Sequence, residues 1–325
     1  MRISSQSGVR ISGARRGVRI SSADRGVRIS GEGRGVRISG QQRGVRISGE
    51  DRGVRISGQQ RGVRISGEDR GVRISSRGVR ISGGDRGVRI SGTERGVRIS
   101  GEDRGVRISS HEGVRISSRA GVRISGEERG VRISGQERGV RISSRTGVRI
   151  SGTERGVRIS GHDRGVRISS QAGVRISGQE RGVRISGEER GVRISSRCGV
   201  RISSRAGVRI SGENRGVRVS SQRRGVRISS RAGVRISGQQ GVRISSTDRG
   251  VRISAQDRGV RISSQAGVRI SSQAGVRISA AERGVRISSQ AGVRISSASR
   301  GVRISGQDRG VRISGRSSRQ LTAAA

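Results

Sequence analysis

One pentapeptide constrains this chain more than anything else in it. Gly-Val-Arg-Ile-Ser recurs 36 times, from Gly8–Ser12 to Gly310–Ser314, with Val219 replacing Ile in one copy. In each copy the two apolar residues stand two apart, so an extended backbone turns both to one side and the Arg to the other. Val and Ile are β-branched and favour strands. A helix is excluded, because Gly returns in every repeat and the apolar positions keep no steady 3.6-residue stripe. Gly, Ser and polar residues fill the joints between copies, where a chain must turn. Each unit is therefore a strand of about four or five residues followed by a turn of about four.

The spacing of the copies is nine residues in most cases, often eight, and seven once, between Gly71 and Gly78. Nine-residue units commonly end Ser-Gly-x-x-Arg, as at Ser48-Gly49-Glu50-Asp51-Arg52. Eight-residue units commonly end Ser-Ser-x-x, as at Ser169-Ser170-Gln171-Ala172. One strand in nine residues cannot bury its own apolar face, so units must stack on one another. The expected fold is all-β: a β-solenoid or β-roll with two units per coil. Its strands are parallel and in register, with coils about 4.8 Å apart. Thirty-six units then give about 18 coils and a rod on the order of 85 Å long. A three-sided coil and a chain disordered in isolation are the alternatives. The repeat array is expected to span residues 1–319 as a single solenoid, with a disordered tail at 320–325. The first unit is incomplete, Met1 standing where Val stands elsewhere, and this uncapped end predicts end-to-end self-association.

The architecture resembles the calcium-binding nonapeptide β-roll in its spacing. That family's Gly-Gly-x-Gly-x-Asp turn is absent here, so the resemblance carries no calcium site with it.

Composition narrows what the fold can contain. The chain has no Phe, Tyr, Trp, Pro or Lys. Val, Ile and the single Leu321 make 74 residues, about 23 % of the chain. A broad globular core is out of reach at this level, which borders on the composition of disordered chains. A thin core, fed by one Val and one Ile per unit, is what remains. The formal net charge is +46, and all 70 basic residues are Arg. Such a charge attracts polyanions at long range and repels copies of itself. The 24 acids lie only in the joints, 19 of them in residues 1–190.

The strand Arg series is the leading candidate for contact with a partner: Arg10, Arg19, Arg28, Arg37, Arg46, Arg55, Arg64 and Arg73, and its continuation. Guanidinium forks suit phosphate, sulfate and carboxylate, and a regular row suits a polymer, namely nucleic acid or acidic polysaccharide. Base-specific reading is not expected, because no aromatic side chain is available for stacking. Adjacent carboxylates such as Glu50-Asp51, Glu68-Asp69 and Glu127-Glu128 are each followed by Arg, which suggests local charge balance. His111 and His162 stand alone, and a metal site needs a cluster. Cys198 is the only cysteine, so an intrachain disulfide is ruled out. No serine has a His and carboxylate set around it that repeats along the chain.

No catalytic, cofactor-binding or metal site and no small-molecule substrate is expected, and the apolar runs are too short for a signal peptide or membrane span. The primary expectation is a non-enzymatic structural rod, spacer or surface element. The alternative is a non-specific polyanion-binding module. A third reading is a translated tandem DNA repeat without a selected function, in keeping with near-identical units and joint changes such as Gln to Glu or Gln to His.

Overall fold

The computed structural model describes all 36 five-residue units and part of the joints between them. Residues 315–325 and many joint positions, among them 23–25, 92–95, 102–104 and 162–164, lie outside the described residues. So do Cys198, His111, His162, Asp69, Glu127, Glu128 and the tail that holds Leu321.

The protein is a parallel β-solenoid. Its chain divides into two compact units, residues 1–163 and residues 164–325. In the first, Val27–Gly40 lies beside Val45–Gly58, and the pairing joins like to like: Val27 to Val45, Arg28 to Arg46, Ile29 to Ile47, Ser30 to Ser48. The same two strands continue through their joints, pairing Glu32 with Glu50 and Arg34 with Arg52 before Val36 meets Val54. A strand thus pairs with the next strand but one in the repeat order, so a coil holds two units, not three. The distance along the chain per coil varies with the joints. It is 18 residues from Val27 to Val45, 16 from Val63 to Val79 and 17 from Val97 to Val114. The second unit follows the same rule, as in Val166–Ser169 on Gly182–Gly187 and Val208–Ser211 on Val226–Ser229.

This pairing places odd-numbered and even-numbered units in two separate stacks. In the first compact unit one stack runs through Val27, Val45, Val63, Val79 and Val97, the other through Val18, Val36, Val54, Val72 and Val88. The Val and Ile of both stacks are buried, Ile38, Ile47, Ile65 and Ile74 completely. The burial pattern along a strand alternates strictly, with Val and Ile in and Arg out. The core is therefore two Val/Ile ladders, one from each stack, and among the described residues it contains nothing else of size.

Most nine-residue units place Gly at the first joint residue, for two reasons. Gly49, Gly67, Gly83 and Gly101 hold φ between +134° and +150°, a region that L side chains avoid. They also stack on each other, so a Cβ on Gly67 would come within 2.8 Å of the carbonyl carbon of Gly49. Most eight-residue units begin the joint with Ser, and among the described residues only Gly takes positive φ. The Ser turn is accordingly a different one. The two turns coexist in one column, since Gly187 pairs with Ser204. Ser204 is buried there with its hydroxyl unpaired.

Val219 sits in this core at a position occupied by Ile202 in one neighbouring coil and Ile236 in the other. All three are buried. Register is unaffected by the lost methylene, because the backbone ladder and the flanking Val217 hold it.

Candidate polyanion-binding faces

The outward position of each strand carries Arg, and in-register stacking turns separate residues into ladders. Arg10, Arg28, Arg46 and Arg64 pair successively and continue to Arg80 and Arg98. Arg19, Arg37, Arg55 and Arg73 pair in the same way and continue to Arg89 and Arg107. All eight of the residues singled out from the sequence are exposed. Sequence order makes them one series, but the fold sorts them into two ladders, one on each stack. Successive guanidinium groups start from backbones about 4.8 Å apart. Each ladder is thus a dense line of like charge, able to fork onto one anionic group after another.

Two further ladders accompany these. The Ser that ends each pentapeptide also faces outward, two residues beyond the Arg. Its hydroxyls meet along the stack: Ser21 and Ser39 Oγ are 3.2 Å apart, as are those of Ser75 and Ser91, and Ser109 and Ser125 are at 3.3 Å. In the second unit Ser279 and Ser296 stand at 3.4 Å. Each Arg ladder therefore runs beside a line of hydroxyls. At one corner the joint Arg form another in-register ladder, Arg16, Arg34, Arg52, Arg70 and Arg86. Along the sequence these Arg stand as local partners for the joint acids. The signal was present in the recurrence of the joint-final Arg, but it becomes a ladder only once two units are known to make a coil.

Glu32 and Glu50 share the corner with the joint Arg ladder. Asp51, next to them, is buried at 2 % exposure. It fits because its neighbour in the stack is Gly33: a Cβ built there would collide with Asp51 Oδ1. Burial pushes the Asp51 carboxyl above its ordinary value, and a hydrogen bond with the Gly33 backbone partly opposes the rise. Among the described residues no group of three His, Cys, Asp or Glu is placed to hold a metal ion. None of the described residues forms a helix long and apolar enough to cross a membrane.

Comparison with family models, with curated proteins and with solved structures finds no match.

Proposed function

We propose that the protein is a non-enzymatic structural element, a spacer or surface scaffold built by stacking one strand-turn unit. The observation that carries this reading is the pairing of identical residues from coil to coil, Val on Val, Arg on Arg, Ile on Ile, Ser on Ser. Such pairing gives successive coils the same strand faces, which suits a scaffold, whereas a reaction centre needs one place to differ from the rest. Circular dichroism of the purified chain tests it. A strand spectrum at physiological salt without any added partner is expected, and a coil spectrum there would defeat it.

A second reading is favoured by the exposed Arg ladders: the solenoid binds polyanions through them. Two Arg lines on a chain of net charge +46 supply attraction at long range and forked contacts at short range. Binding is expected to lack sequence preference and to weaken steeply with salt, as contacts made by releasing counterions do. Titration with heparin and with DNA at rising salt measures this. Affinity that does not change with salt would be incompatible with it.

A further inference from the structure

The alternation of buried Val and Ile with exposed Arg holds on both stacks, and this fixes how the two Arg ladders are related. A strand hides one side and shows the other, and with two units per coil it is the other stack that covers each stack's Val and Ile. The inner sides meet across the core, so the two Arg ladders face in opposite directions. In the first compact unit one ladder runs from Arg10 through Arg46 and Arg98 to Arg149. The other runs from Arg19 through Arg55 to Arg158. Every strand Arg in both ladders is exposed. The second unit repeats the arrangement within itself, with Arg167, Arg184 and Arg201 on one stack and Arg175, Arg193 and Arg209 on the other. All 24 acids lie in joints, so no five-residue strand segment on either face contributes a carboxylate.

We infer that the solenoid binds two anionic polysaccharide chains at once, one along each strand face, and so links them. This rests on the polyanion reading and deepens it by giving the valence and the class of partner. A polysaccharide lying on one face finds its next guanidinium one coil further on, about 4.8 Å away. The guanidinium groups of the opposite face lie beyond two sheets that pack about 10 Å apart. Each ladder therefore takes a chain of its own. The two bound chains repel each other little, because the sheets and two layers of Arg side chains hold them further apart than the Debye length of about 8 Å at physiological salt. Both faces also carry a line of hydroxyls beside the Arg, Ser30 and Ser48 on one stack and Ser39 and Ser57 on the other. These complement sugar hydroxyls. Nucleic acid fits less well. A single strand gains much of its affinity from bases stacked on aromatic rings, and the chain has none. A duplex winds, so a straight row meets one backbone only about once per 34–36 Å turn.

The test mixes the full chain with heparin of one length, part of it carrying a donor dye and part an acceptor, at about 0.15 M salt. Energy transfer between heparin chains reports linking, and fluorescence anisotropy reports binding. Two variants carry equal numbers of Arg→Thr substitutions at strand positions. The one-face variant loses the ladder of Arg10, Arg28 and Arg46 in the first unit and that of Arg167, Arg184 and Arg201 in the second. The distributed variant loses every second Arg from both faces. Both are checked for an unchanged strand spectrum, and a Thr set that alters it is replaced by Gln at the same positions. The unsubstituted chain and the distributed variant are expected to give transfer. The one-face variant is expected to lose it about tenfold while still binding heparin, about half as much per protein chain at saturation. Equal losses in the two variants overturn the inference, because net charge alone would then set linking. Transfer retained by the one-face variant overturns it as well. Heparin bound by the unsubstituted chain without transfer overturns the inference and leaves the polyanion reading in place, whereas no binding overturns both. Duplex DNA of matched total charge, labelled in the same way, should give less transfer than heparin, and equal or greater transfer overturns the choice of polysaccharide.

Discussion

The Arg ladders that make the solenoid a candidate scaffold for anions also oppose its assembly, and the size of that opposition can be worked out. Arg19, Arg37, Arg55, Arg73 and Arg89 form one continuous ladder, and with Arg2 and Arg107 at its ends they make six neighbour contacts. At about 4.8 Å, like charges repel by about 1–3 kcal/mol for effective dielectrics of 80 to 20. The side chains are exposed, so they splay apart and are screened. About 0.3–1 kcal/mol per contact is the appropriate scale for like charges facing each other on a sheet surface. Replacing all five by Thr therefore relieves roughly 2–6 kcal/mol at low salt. Thr is also a good strand residue, which adds a smaller gain that salt does not alter.

Urea unfolding followed by far-ultraviolet circular dichroism measures the effect at about 0.05 M and about 1 M salt. The midpoint is the quantity compared, since a long repeat array need not unfold in one step. The five-fold variant is expected to have the higher midpoint at low salt. The advantage should shrink at 1 M, where the Debye length is about 3 Å. A variant no more stable than the parent at low salt would refute the repulsion argument. So would an advantage of the same size at both salts, because propensity alone would then account for it. The converse holds for the unsubstituted chain: salt or a bound polyanion should raise its midpoint.

Three other outcomes are expected. Val219→Ile restores the methylene that Ile202 and Ile236 have in the same column, and should raise local stability by about 0.5–1.5 kcal/mol, read as slower hydrogen exchange in Val217–Ser221. Gly67→Ala places a Cβ against the backbone of Gly49 at φ +145° and should cost about 2–4 kcal/mol, seen as a lower urea midpoint. Asp51→Asn removes a carboxyl whose value is raised from 3.8 by burial. The native state then holds the proton more tightly than the unfolded chain, so this group weakens the fold as pH rises above about 4. The substitution should stabilise the protein at pH 7 and be close to neutral at pH 3; a gain of equal size at both would show that charge is not the cause.

Much of this fold was legible in a single unit, and the reason is physical. Val-Arg-Ile fixes which side is buried, and one strand per eight or nine residues leaves stacking as the only way to bury it. The two-unit coil follows because two stacks, one through Val27 and Val45 and the other through Val36 and Val54, enclose a thin core that one Val and one Ile per strand are enough to fill. The ladder of exposed strand Arg was equally legible, because identical units in register must stack identical residues. Two features were not. The joint ladder from Arg16 to Arg86 depends on strands running through their joints, and nothing in Gly-Glu-Asp-Arg announces that Arg34 will pair with Arg52 as regularly as Arg37 with Arg55. Burial of Asp51 depends on Gly33 in the next coil, a neighbour 18 residues away that only register brings near.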